Sequence, residues 1–152
     1  MPCNDVTERL TVRLDHADRV VGYSMSKMTC GGNVKGDDLL DEWILDRDVE
    51  TVLAIDPADL ASRPVLGRVK EYLRFKHLFS VQAALAGYLG RSLPDDDCAV
   101  TIVGVEYDRT GAEVRAEIHP PLLTEKIEAC GLCGDSCGGS EAGRLLQSRL
   151  TG

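Results

Sequence analysis

Apolar and polar residues alternate strictly near the start of the chain. From Val6 to Leu14 every second residue is apolar except Glu8, and threonine or arginine fills the positions between them. This period of two is typical of a β-strand with one buried face. A turn at His16-Ala17-Asp18 and a second strand from Arg19 to about Met28 follow, so the pattern predicts an antiparallel hairpin.

The pattern changes to a helical period after Gly31-Gly32. One face of this segment is apolar and consists of Leu39, Leu40, Trp43 and Ile44. The opposite face is acidic and consists of Asp37, Asp38, Asp41 and Glu42. This arrangement predicts an amphipathic helix that begins shortly after Cys30. Short helices are predicted at residues 49–55 and 57–61, and a longer helical stretch is predicted from Pro64 to Gly90, with a break near residues 75–78.

A polar break at residues 93–97 separates the helices from a second predicted hairpin. Its strands are residues 98–107 and 113–119, and Asp108-Arg109-Thr110-Gly111 forms the turn. The predicted fold class is α+β, with a small antiparallel sheet packed by helices and extended by a C-terminal β-hairpin and a Cys-rich loop. We divide the chain into residues 1–93 and residues 94–152, with the second part packed on the same core.

Composition narrows the class of protein. The chain has 152 residues, 43% of them apolar and 28% charged, which is typical of a globular domain. Its net charge of −8 disfavours nucleic acid as a partner. No leader pattern or membrane span is recognisable, so we expect a cytoplasmic protein. A basic group, Arg68, Lys70, Arg74 and Lys76, is read as a solvated helix face, with contact to an acidic partner as the alternative.

Four of the six cysteines stand beside glycine, and three of these form a tail motif with the spacing Cys130-x-x-Cys133-x-x-x-Cys137. Glycine lets the backbone turn and approach sulfur closely, and a two-residue gap allows two thiolates to share one metal. In a reducing compartment, grouped cysteines are more often ligands or redox groups than structural disulfides. Cys98 is predicted to be a small buried hydrophobe outside the site.

The first hairpin adds two cysteines to the candidate site. Cys3 precedes its first strand and Cys30 follows its second, so an antiparallel pairing would bring the two ends together. Asp5 would add a carboxylate beside these thiolates, which suits a labile iron or zinc site. If Cys30 lies at the start of a helix, the helix dipole would lower its thiol pKa.

The order of these features resembles the NifU/IscU-type iron–sulfur scaffold. Cys3-Asn4-Asp5 stands where that family has Cys-Gly-Asp, and Cys30-Gly31 stands at its second cysteine. Trp43, in Leu39-Leu40-Asp41-Glu42-Trp43, follows Cys30 at the spacing expected there. The resemblance covers residues 2–91 and implies a SufE/NifU-like fold.

Two departures modify what the resemblance implies. Phe79 stands at the family's third cysteine, while His77 is one residue away from its usual histidine position; the family's N-terminal helix is also missing. A phenyl ring cannot bind iron, so we expect the tail thiols to compensate. The candidate cluster ligands are Cys3, Cys30, Cys130, Cys133 and Cys137. Asp5 and His77 join them as candidate metal ligands.

The predicted function is assembly or carriage of an iron–sulfur cluster, of the 2Fe–2S type, without enzymatic activity. The resemblance implies a cysteine desulfurase and acceptor apo-proteins as partners, and it leaves a homodimer open. Two alternatives use the same cysteines. One is a persulfide relay through Cys30 or a tail cysteine, and the other is an interaction module stabilised by zinc.

Overall fold

The fold is α+β in the computed structural model, which describes residues 8–29, 32–63, 67–91 and 99–119. Within these residues the strands are β1 (Glu8–Leu14), β2 (Val20–Thr29), β3 (Gly32–Lys35), β4 (Val100–Tyr107) and β5 (Ala112–Ile118). The helices are α1 (Asp41–Ile44), α2 (Val49–Leu53), α3 (Pro57–Ser62) and α4 (Arg68–Tyr88). The strands form one antiparallel sheet in the order β3-β2-β1-β5-β4.

The alternating strand β1 lies at the centre of this sheet, as its pattern favours. Leu10, Val12 and Leu14 are completely or almost completely buried on one face. On the other face, arginines of β1 meet glutamates of β5, and Arg13 Nε lies 3.2 Å from Glu113 Oε2. The apolar face therefore packs against the helices, while the charged face is turned to solvent.

Helix α4 covers the apolar face of the sheet. It contacts β1, β4 and β5 on one side and α2 and α3 on the other. Its buried apolar residues include Phe75, Leu78, Val81, Ala84 and Leu85. The helix is continuous from Arg68 to Tyr88, so the predicted break near residues 75–78 is wrong. Pro64, its predicted first residue, lies outside the described residues.

The segment after Cys30 differs from the prediction. Residues Gly32–Lys35 form strand β3, paired with β2, and the Gly36 amide extends the contact by donating to the Met25 carbonyl at 2.8 Å. Helix α1 does not begin until Asp41 and has only four residues. A helix starting shortly after Cys30 is therefore wrong, and so is the argument that a helix dipole lowers the pKa of the Cys30 thiol.

A second hairpin, β4–β5, joins the sheet beside β1. Asp108 Oδ1 accepts hydrogen bonds from the amides of Thr110, at 2.6 Å, and Gly111, at 3.1 Å, which closes the turn. Gly111 has φ +146°, and a Cβ there would lie 1.9 Å from the Leu14 carbonyl oxygen. Glycine is required at this position because the turn lies directly against the end of β1.

Candidate functional site

The sheet has one end at which the cysteine-bearing segments join the described residues. Glu8 begins β1 and pairs with Lys27 of β2 and with Ile118 of β5. At the same end, Thr29 pairs with Gly32, and the His119 amide donates to the Ala99 carbonyl at 2.8 Å. We call this the cysteine end of the sheet.

Four segments meet the described residues there. Residues 1–7 carry Cys3 and Asp5 and precede Glu8; residues 30–31 include Cys30; residues 92–98 include Cys98; and residues 120–152 carry Cys130, Cys133 and Cys137. These cysteines and Asp5 lie outside the described residues. Among the predicted site residues, His77 alone falls in the part of the chain that the structure describes.

A cavity of about 250 Å³ opens near the cysteine end. It lies between the last residues of β2, strand β3 with the loop after it, and one side of α4. Met25, Leu39 and Leu73 supply apolar wall, whereas Glu8, Lys76 and His77 supply buried polar groups. Three further charged residues line it and are more exposed, namely Lys27, Lys35 and Asp37.

His77 is held in this wall by Tyr23. The Tyr23 hydroxyl lies 3.0 Å from His77 Nδ1 and accepts a hydrogen bond from the Leu40 amide at 2.9 Å. The two rings meet edge to face, with centroids 5.8 Å apart. Since the hydroxyl oxygen already accepts from an amide, the hydroxyl is best assigned as a donor to His77 Nδ1. The single N–H of the neutral ring is then on Nε2.

Burial, together with the nearby Lys76 ammonium, lowers the pKa of His77 to about 4, although the carboxylates of Glu8, Asp38 and Asp37 act in the opposite direction. Burial also raises the pKa of Tyr23 above its ordinary value. Both side chains are therefore uncharged at neutral pH. Metal binding at His77 Nε2 would require the ring hydrogen to move to Nδ1, where the Tyr23 oxygen would accept it.

A buried ion pair lies beside His77. Lys76 Nζ contacts Glu8 Oε2, and the two side chains are only 10% and 11% exposed. Lys27 Nζ, on a half-exposed side chain, lies 4.0 Å from Glu8 Oε1. The pair joins the first described residue of β1 to the middle of α4. It thereby places one ammonium and one carboxylate in the cavity wall.

The sequence contained a signal for part of this arrangement. Glu8 was the only polar residue on the apolar face of β1, which is an indication of a buried polar group with a partner. The prediction that the basic group is a solvated helix face is right for Arg68 and Lys70, which are exposed. It is wrong for Arg74 and Lys76, which are buried. Nothing in the sequence around Tyr23 indicated that its hydroxyl would contact His77.

Phe79 is half-buried and packs against the apolar core from α4. The described residues contain no group of three or more His, Cys, Asp or Glu side chains arranged to hold a metal ion. Among the described residues, the site therefore consists of a cavity with polar hydrogen-bond donors. Any thiolate ligands would have to come from the cysteine-bearing segments that attach at the cysteine end.

Comparison with protein-family models, with curated proteins and with solved structures gave no match. In the described part of the chain, no helix has both the length and the apolar character needed to cross a membrane.

Proposed function

We propose that the chain is a scaffold or carrier on which an iron–sulfur cluster is assembled or held before transfer to an acceptor apo-protein. The observation that carries this proposal is the position of the described strand ends. Every segment that contains a cysteine joins the sheet at its cysteine end. Attachment of these segments at one end of the sheet supports the proposal that thiolates from distant parts of the sequence share one soft-metal cargo.

The proposed ligands are Cys3, Cys30 and the tail cysteines, with Asp5 and His77 as further candidates. The resemblance to NifU/IscU-type scaffolds supports this set and suggests a cysteine desulfurase as the sulfur donor. Phe79 provides no ligand, so the proposed set draws on the tail motif instead.

The persulfide relay loses one of its physical supports in the structure. Strand β3 rather than a helix follows Cys30, so no helix in the described part of the chain begins where its dipole would support a thiolate at that residue. A zinc-stabilised module also fits less well, because the described residues bury a continuous apolar core of their own. A fold that depends on zinc usually lacks such a core and unfolds when the metal is removed.

The proposal is tested by reconstituting the protein with ferrous iron and sulfide in the absence of oxygen. The visible spectrum and the bound iron, sulfide and zinc are measured for the parent chain, for C3S, for C30S, and for a triple variant with Ser at 130, 133 and 137. C98S is the matched control, since Cys98 directly precedes Ala99 in the sequence and is predicted to be a packed hydrophobe.

We expect cluster absorption in the parent chain and in C98S, and its loss in C3S, in C30S and in the triple variant. Transfer to an apo-ferredoxin then checks the carrier role. Stoichiometric zinc with no cluster in the parent chain would contradict the proposal and favour the zinc module. Equal cluster content in all variants would contradict the ligand set.

A further inference from the structure

The cavity beside α4 contains a buried ammonium, from Lys76, that the proposed cluster site does not use. Lys76 is 8% exposed, and Glu8 is its partner among the described residues. An ammonium has three N–H donors, and one carboxylate oxygen satisfies only part of that capacity. A buried donor without an acceptor is costly, so something in the adjoining cavity is expected to accept from Lys76.

His77 adds a second donor to the same wall. Tyr23 occupies Nδ1, and in the tautomer derived above Nε2 carries the ring hydrogen. Nε2 is therefore the nitrogen left for contents of the cavity, and in this form it donates a hydrogen bond. Both donors belong to adjacent residues of α4 that line the cavity.

The rest of the wall favours a ligand with an apolar body. Met25, Leu39 and Leu73 line the cavity, which at about 250 Å³ is slightly smaller than typical small-molecule pockets. Two of the three lysines that line it already face carboxylates, since Lys27 lies 4.0 Å from Glu8 and Lys35 lies 3.2 Å from Asp38. The preference for an anion therefore comes from the remaining donors of the buried Lys76 ammonium and not from the net charge of the wall. Glu8 already contacts the Lys76 ammonium, so a ligand with one anionic group is enough to accept from its remaining donors.

We propose that this cavity binds a small apolar monocarboxylate, whose carboxylate accepts hydrogen bonds from Lys76 and His77 while its hydrocarbon part packs against Met25, Leu39 and Leu73. This site shares only His77 with the candidate cluster ligands, and all of its residues belong to β1, β2, β3, α4 and the loop before α1. The proposed ligand is a free small acid, which a cavity of about 250 Å³ can accommodate.

The probe for this site is 4-methylpentanoate, and 4-methylpentanamide is its uncharged counterpart of the same shape. Binding is followed by amide chemical shifts in ¹H–¹⁵N spectra and by the ring nitrogen shifts of His77. We expect a saturable, about millimolar interaction with the acid that shifts residues of β3 and α4. The amide is expected to bind at least about tenfold more weakly, because it lacks the charge that Lys76 would meet.

Val34 offers a variant that narrows the cavity without touching its buried donors. Val34 lines the cavity and is 57% exposed on the edge strand β3, so V34F should fold normally. V103F is the matched control, because Val103 is 54% exposed on the opposite edge strand β4 and lies away from the cavity. We expect V34F to weaken binding of the acid about tenfold or more, and V103F to leave it unchanged.

A double variant, E8Q with K76Q, removes both buried charges together and so avoids an unpaired one. It should also bind the acid at least about tenfold more weakly. Equal binding of acid and amide would overturn the proposed carboxylate contact. Equal weakening by V34F and V103F, or no saturable shift with about 20 mM acid, would overturn the cavity as a ligand site.

Discussion

The Glu8–Lys76 pair provides a sharp test of how the cysteine end is stabilised. Both side chains are about nine-tenths buried, so removal of either partner leaves the other charge in a poorly solvated place. Such losses are typically about 3–5 kcal/mol. We therefore expect E8M and K76M each to lower the free energy of unfolding substantially, whereas E8M combined with K76M should lie close to the parent chain.

The two single variants should not be equal. In K76M the Glu8 carboxylate keeps Lys27, whose Nζ lies 4.0 Å away, so part of its charge remains compensated. In E8M the Lys76 ammonium loses its carboxylate partner among the described residues. We expect E8M to be the more destabilising of the two. K27Q is the control and should change the unfolding free energy by less than about 1 kcal/mol, because Lys27 is half-exposed.

Urea unfolding at neutral pH measures these differences, with fluorescence of Trp43 as the probe. Trp43 is the single tryptophan of the chain, packs against the core and has the Arg63 guanidinium 5.2 Å from its ring centroid. Circular dichroism should give the same midpoint if unfolding is two-state. Additive single-variant effects of less than about 1 kcal/mol would refute the reasoning, since the pair would then behave as a solvated one.

Three further predictions use the same unfolding assay. Y23F should lose about 1–3 kcal/mol, because the Leu40 amide and His77 Nδ1 lose their buried partner, and the His77 ring nitrogen shifts should then indicate a mixture of tautomers. G111A should be more destabilising than G22A, because a Cβ at Gly111 would overlap the Leu14 carbonyl whereas Gly22 has open space; equal effects would contradict the turn geometry. Stability should fall as pH falls from above 6.5 towards 4, by up to about 3 kcal/mol, since unfolded His77 takes up a proton that the folded protein excludes; H77Q should remove this part of the pH dependence.

Strands and helices with a regular spacing of apolar residues were predictable from the sequence. Elements held mainly by backbone hydrogen bonds to a neighbouring strand were not. The alternation in β1 and the long apolar stretch of α4 each bury one face, so the pattern records the fold directly. Strand β3 has four residues, Gly-Asn-Val-Lys, and its one large apolar side chain is exposed. Its position comes from hydrogen bonds to β2, which leave no hydrophobic signature in the sequence.

The site was less predictable than the fold, because its contacts join distant parts of the chain. His77 was singled out from its position near the family's histidine, but its state depends on Tyr23, which is 54 residues away. Lys76 was grouped with neighbouring basic residues, although helical periodicity turns it inward while Lys70 remains exposed. A local group of basic residues was therefore a poorer guide to the buried ion pair than the one polar residue, Glu8, in the apolar pattern of β1.

Phe79 connects the two proposals made for the cysteine end. A cysteine at this position would have brought a thiolate onto α4, one helical turn from Lys76, whereas the phenyl ring packs against the core. Helix α4 is left with Lys76 and His77 as its polar groups in the cavity wall. In the two proposals, cluster ligation by thiolates depends on the attached segments, and anion binding depends on the described residues. Replacement of the tail cysteines should therefore abolish the cluster and leave carboxylate binding intact, while V34F should have the opposite effect.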